Sequence, residues 1–268
     1  MSNSKPRART VLWLAIVLAA ATPLATIPAA IAAEPEAPAV SQQVVSPEAK
    51  AVLDRMTAYL RGLQTFSIDT DASRDEVVSL GYKLQHNEHS TLVVQRPNKL
   101  RADVTGDIRD RTIVFDSGKL TMYSPDDAAL VKVAAPDTIG TLIGTLLDMG
   151  VELPLIDVLY QATEGTLMDE ARGGVLVGQT EINGVPCDHL AFRQASVDWQ
   201  IWVERGARTL PRKILVTTRY QVGDPQFQAI LNWNLTPRID ANTFAFVAPA
   251  GTVEVPMDKM AATEGDTP

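Results

Sequence analysis

The chain has 268 residues, with 24 Lys and Arg against 32 Asp and Glu, a net charge of −8 at pH 7. Acidity of this kind disfavours nucleic acid and anionic membrane as general partners. The single cysteine, Cys187, cannot close an internal disulfide, so stability has to come from a hydrophobic core, for which the chain is long enough.

In chain order, Lys5, Arg7 and Arg9 precede an unbroken apolar run from Val11 to Ala21, and Ala30-Ile31-Ala32 offers the small-x-small pattern of a signal-peptidase site. The run is too short for a spanning helix, which needs about 20 residues. We therefore read residues 1–32 as a cleaved export signal and the protein as periplasmic, with no integral membrane segment after cleavage. Cys187 is far from the cut, so the protein is not expected to be a lipoprotein. Cleavage after Ala32 leaves 236 residues and removes three positive charges, taking the net charge from −8 to −11. Residues 33–45, rich in Pro, Ala and Gln, read as a flexible linker, 46–255 as one domain, and 256–268 as a disordered tail.

Ser46 is placed to cap a helix with Pro47 at its first position, and Ala49, Val52, Leu53, Met56, Leu60 and Leu63 recur at helical spacing in a helix that stops near Gly62. Strand-like runs follow: one near Phe66–Thr70, then EVVSLGYKLQ, STLVVQRP, NKLRADVTG, RTIVFDS, KLTMYSP and ALVKVA, an antiparallel meander. Three turns are expected, at His86-Asn87-Glu88-His89, at Asp116-Ser117-Gly118 and at Ser124-Pro125-Asp126-Asp127. In the central segment the period changes. Asp137 is expected to cap a helix whose apolar stripe is Ile139, Leu142, Ile143, Leu146 and Leu147, ending before Gly150. Gly140 and Gly144 weaken it by about 1 kcal/mol each. Leu155–Tyr160 and Thr163–Ala171 suggest further short helices.

Strands resume with GVLVGQTEI, GVPCDHLAFRQ, VDWQIWVE, PRKILVTTRY and QFQAILNWNL. In the last, Phe227, Ala229, Leu231, Trp233 and Leu235 alternate with polar residues; Leu190 with Phe192, and Trp199 with Ile201 and Val203, keep the same period of two. Trp202 falls on the polar side, where packing under a loop or a terminal segment is the plain reading and a contact surface the sharper one.

Catalytic material is sparse. His86 and His89, if they flank a tight turn, supply half a zinc site without evident further ligands, so no metal is assigned. Cys187 and His189 share a strand face without an orienting third residue, and Cys187 reads as a small buried hydrophobe. Asp107, Asp110, Asp126 and Asp127 sit in turns and read as solvated. GxSxG, HExxH, a phosphate-binding glycine loop and an EF-hand loop are all missing. No cofactor is implied, and the chain reads as a non-enzyme.

The segments RPNKLRADVTGDIRDRTIVFDSGKLTMYSPDDAALVKVAAP, GVELPLIDVLY, INGVPCDHLAFRQASVDWQIWVERGARTLPRKI and LNWNL together resemble the predicted periplasmic proteins grouped as domain of unknown function 2092, over about Ser46 to Val255. The wider relatives implied by that resemblance are lipoprotein carriers and receptors of the LolA and LolB type and the lipid-sensing domains of periplasmic stress regulators. It implies a mainly β (α+β) fold, a strongly curved antiparallel sheet forming an incomplete barrel of about eleven or twelve strands. An N-terminal helix and a central helical insertion would cover its concave face. The leading expectation is an apolar cavity holding a lipid, acyl chain or lipidated polypeptide between the sheet (Leu190, Phe192, Trp199, Ile201, Val203, Phe227, Leu231, Trp233) and the central helix (Ile139, Leu142, Ile143, Leu146). The alternative is a filled core in an envelope protein-interaction or stress-sensor module, with Trp202 meeting a protein partner.

Overall fold

A computed structural model describes residues 45–148 and 154–257, with side chains left undescribed at 147, 148 and 154–158. The expected export signal, nearly all of the linker, the Leu147 side chain, Gly150 and most of the expected tail lie outside what is described.

Helix α1 spans Pro47–Gly62, and the Ser46 hydroxyl accepts a hydrogen bond from the Ala49 N–H at 3.2 Å. Its buried stripe is Ala49, Val52, Leu53, Met56 and Leu60, as the spacing requires. The first half of the sheet is a meander of β1 (Thr65–Val77), β2 (Lys83–Gln95), β3 (Lys99–Gly106), β4 (Arg111–Asp116), β5 (Lys119–Ser124) and β6 (Ala129–Ala134). Helices α2 (Ile139–Asp148) and α3 (Pro154–Glu164) intervene. A second meander follows: β7 (Gly173–Ile182), β8 (Val185–Arg193), β9 (Val197–Glu204), β10 (Pro211–Thr218) and β11 (Gln226–Asn234), with a short β12 (Val253–Glu254). All twelve strands join one curved, open sheet in the order β12-β6-β5-β4-β3-β2-β1-β11-β10-β9-β8-β7. Among the named strands of the described residues only β12 against β6 is parallel, and the β1–β11 pairing joins the two meanders.

The expected strand number is met by different strands. The first three runs merge into two 13-residue strands in unbroken register from Thr65↔Gln95 to Val77↔Lys83. The hairpin turn is therefore at 78–82, where Gly81 (φ 79°) supplies the left-handed residue, and not at His86-Asn87-Glu88-His89, which is paired in register against Asp71–Arg74. The polar stretch is only the wet far end of a long strand. The turn at Asp116-Ser117-Gly118 forms as expected, with φ of 50° at Ser117 and 84° at Gly118.

Two helical expectations also change. Thr138, not Asp137, caps α2, its hydroxyl accepting from the Thr141 N–H at 3.2 Å. Thr163–Ala171 is not a second helix: α3 ends at Glu164, and Gly165 (φ 81°) closes it through its N–H to the Gln161 carbonyl at 2.8 Å.

The helices lie on the inner face of the sheet. Met56, Leu53 and Leu60 of α1 pack in one cluster with Ile68, Leu190, Ile201, Ile214 and Leu231. On the outer face, the stretch after β11 returns across β3–β6: Arg101 donates to the Ala245 carbonyl at 3.2 Å, and Phe246 meets Tyr123 with ring centroids 5.2 Å apart. This strap buries Phe244. No helix among the described residues is long and apolar enough to cross a membrane.

Candidate functional site

The strand period decides what faces inward. In β1 and β2, Phe66, Ile68, Leu92 and Val94 share the inner face, and the same parity carries Arg96 to that face at the strand end. There the sheet, the C-terminal ends of α1 and α3, and α2 enclose a cavity of about 430 Å³. Its floor is Phe66, Leu92, Val94, Leu100 and Trp233; Ile139, Ile143, Leu159 and Tyr160 form the roof. Trp233 is fixed by its indole N–H, which donates to the Pro211 carbonyl at 2.8 Å, and by Phe66, 5.3 Å away between ring centroids.

One end of the cavity is polar. The Arg96 guanidinium donates to the carbonyls of Leu60 (3.1 Å) and Arg61 (3.3 Å) and to the Thr163 hydroxyl (3.3 Å). Arg61 donates to the carbonyls of Thr163 and Glu164. Two guanidinium groups thus tie together the C-terminal ends of α1 and α3. Burial pushes the Arg96 pKa down, while Glu164 pulls it up. Each helix end carries about half a negative charge, so with Glu164 the two arginines are nearly offset. The polar end is close to neutral and does not by itself select an anionic or a cationic head group.

The twelve expected site residues separate by position. Ile139, Ile143 and Trp233 line this cavity. Phe192 and Trp199 line a second, more open depression of about 420 Å³ at the β7–β9 margin. Leu190, Ile201, Val203, Leu231 and Leu142 are buried in the core, and Phe227 and Leu146 pack against it. The cavity residues not anticipated are the floor residues Phe66, Leu92, Val94 and Leu100, the helix and cap residues Leu60, Arg61, Thr138, Gly140, Leu159, Tyr160, Thr163 and Glu164, and Gln64, Arg96 and Pro97. Strand parity could have marked the floor residues and Arg96; nothing local marked the others.

Other candidates take structural roles. His86 and His89 lie on opposite faces of β2, bonded at 2.9 Å to Glu76 and Asp71 respectively, so they do not approach one another. Cys187 is fully buried, its thiol 3.3 Å from the Val185 carbonyl, and burial pushes its pKa up, away from a reactive thiolate. Trp202 is on the outer face as expected, yet only 8% exposed. Among the described residues it stacks on His189 at 4.2 Å, with Lys213 Nζ 5.0 Å over the ring. That burial removes the exposed contact surface the alternative reading needed. The turn aspartates bind backbone: Asp107 accepts from Asn87 N–H at 2.7 Å, Asp110 from Gly106 at 3.2 Å.

Gly140 and Gly144 face Tyr160 of α3. A Cβ would come to 3.8 Å from its ring at Gly140 and 3.6 Å from its hydroxyl at Gly144, ordinary contact distances. Alanine at both positions is expected to stabilise α2 by about 1–2 kcal/mol. Slower hydrogen exchange across Ile139–Leu146 in the double variant is the check; unchanged or faster exchange would show that Tyr160 needs those gaps.

The family model described as "Predicted periplasmic protein (DUF2092)" matches residues 49–258. The chain belongs to this family. No curated protein matches it by sequence. Among solved structures it is similar to the Mycobacterium tuberculosis lipoprotein LppX, at TM-score 0.47 and 11% identity over 73% of this chain and 100% of that one. It is similar to LprF from Mycobacterium bovis at 0.46 and 12%, over 78% and 100%. A LolA-superfamily protein from Nitrosomonas europaea matches at 0.32 and 8%, over 74% and 97%. As a DUF2092 protein the chain carries a family description that is periplasmic.

Proposed function

We propose that this DUF2092 protein is an exported, periplasmic binding protein that takes an acyl chain or single-chain amphiphile into the cavity between β1–β3 and the helices α1–α3, and that it performs no chemistry on it. One observation carries the reading: a cavity of about 430 Å³ whose floor and roof are both built of aliphatic and aromatic side chains. That volume lies in the ~300–1,000 Å³ range of small-molecule pockets, which suits one chain better than a multiply acylated lipoprotein anchor. Burial of each methylene contributes about 0.8 kcal/mol, so the chain supplies affinity and the nearly neutral polar end tolerates different heads.

The test uses the chain from Ala33 onward, delipidated, with a dansyl-labelled fatty acid as probe and palmitate as competitor. Saturable binding displaced by palmitate is expected. Ile143→Trp, which fills the space under the roof, is expected to weaken binding at least tenfold while thermal unfolding stays cooperative. Absence of binding to the wild-type chain, or equal binding by the folded variant, would overturn the proposal.

A further inference from the structure

Far from the cavity, at the other end of β1, two turns stand side by side. They are the β1–β2 turn (78–82) and the β10–β11 loop (219–225). The Gln226 N–H donates to Asp75 at 3.1 Å, and a Cβ on Gly223 would lie 3.4 Å from the Val77 side chain, so the two turns touch at their bases. Between them they expose Leu80 (83%), Tyr82 (65%), Tyr220 (68%) and Val222 (86%), with Leu84 (44%) just behind. Five exposed apolar or aromatic side chains thus stand on and beside two adjoining turns.

Both turns repeat one order of side chains going from tip to sheet. Leu80 is followed by Tyr82 and then Lys83; Val222 is preceded by Tyr220 and then Arg219. An aliphatic tip, an amphipathic ring and then a cation is the layering of a bilayer surface, where tails, glycerol level and phosphates follow in that order. We propose that this rim docks onto a lipid bilayer, Leu80 and Val222 entering the acyl boundary, Tyr82 and Tyr220 resting at head-group level, and Lys83 and Arg219 meeting the phosphates.

Two further observations favour a bilayer over a protein. At 83% and 86% exposure the tip side chains have almost no backing from their own chain. A rigid partner would need a separate pocket for each, whereas a fluid surrounds each without one. Charge agrees as well: in these turns and the strand ends beside them, Arg74, Lys83, Arg193 and Arg219 match Asp75, Glu76, Asp198 and Asp224, with Lys83 paired to Asp75 at 3.3 Å and Arg219 to Asp198 at 3.7 Å. The rim is thus neutral on a chain of net charge −8, and the general repulsion from an anionic surface does not extend to it. The docking surface lies at the far end of β1 from the cavity, so it positions the protein at the membrane and does not depend on the cavity holding a ligand.

The experiment measures partition of the chain from Ala33 onward, which retains every described residue and omits the apolar leader, into vesicles of phosphatidylethanolamine with phosphatidylglycerol. Wild type is expected to co-sediment with the vesicles and to remain bound in high salt. Leu80→Ser/Val222→Ser is expected to weaken partition at least tenfold, with the thermal midpoint and fatty-acid binding unchanged. Failure of the wild type to bind vesicles, or equal binding by the double variant, would overturn the proposal. So would a wild-type dimer in sedimentation velocity that the variant abolishes while vesicle binding is absent, since the rim would then serve a second copy of the chain.

Discussion

Arg212→Met is expected to destabilise the protein by about 3 kcal/mol, because it leaves a carboxylate buried with too few partners. The Glu204 side chain is 8% exposed on the outer face of β9 and accepts from Arg212, itself 11% exposed, and from Arg208, which is 58% exposed. Arg212 Nε donates at 2.9 Å and Arg208 Nε at 3.2 Å. Removing the buried arginine leaves only the solvent-screened one, whose attraction is small against the cost of desolvating a carboxylate. Replacing both groups, Glu204→Leu/Arg212→Met, removes the charge along with its partner and is expected to return stability to within about 1 kcal/mol of wild type. Urea unfolding of both variants provides the check; a double variant no better than the single would show that the ion pair is held for geometry and not merely tolerated.

Gly174→Ala is the second large effect, about 3 kcal/mol of lost stability. The backbone at Gly174 is ordinary extended strand, so the issue is space alone. A Cβ there would lie 2.4 Å from Phe192 Cδ1 and 2.6 Å from Cε1. The Phe192 ring is 3% exposed and stacked on Trp199 at 4.1 Å, so moving it away breaks that stacking. Strain passes to α1 as well, because the Gly174 carbonyl accepts from the Ser46 N–H at 2.8 Å, at the helix cap. Gly62→Ala is the matched control: nothing lies within 4 Å of its Cβ position, and the same substitution is expected to stabilise by up to about 1 kcal/mol. Equal effects at the two glycines, read by urea midpoints, would refute the steric argument.

Much of this architecture was legible in the residues. Stripe and cap located the start of α1, since Ser46, Pro47 and Ala49 act within one turn of one another, while Leu63 of the expected stripe is its extended C-cap. The alternation in Phe227, Ala229, Leu231 and Trp233 put all four on the inner face, because side chains alternate along a strand whatever its neighbours. Local rules failed where a local signal was ambiguous. His86-Asn87-Glu88-His89 is as polar as a turn, and only its register against Asp71–Arg74 makes it strand. Trp202 has strand parity for the solvent side, yet His189 and Lys213, from neighbouring strands, bury it there.

Sequence by itself determined the composition of each face, the helix at the start of the domain, the central helical insertion and the family. The position of the cavity was decided by tertiary structure alone. Apolar residues line the inner face along both meanders, and parity cannot distinguish a wall from a filled core. Beneath α1, Leu190, Ile201 and Leu231 are packed solid, whereas at the end of β1 and β2 the space is left open under α2 and α3. Which of these happens depends on where the ends of α1 and α3 meet, through Arg61 and Arg96 reaching carbonyls about a hundred and about thirty-five residues away in the chain. Contacts of that separation leave no periodic mark in the sequence, because each is a single meeting of distant elements and not a repeat along one of them.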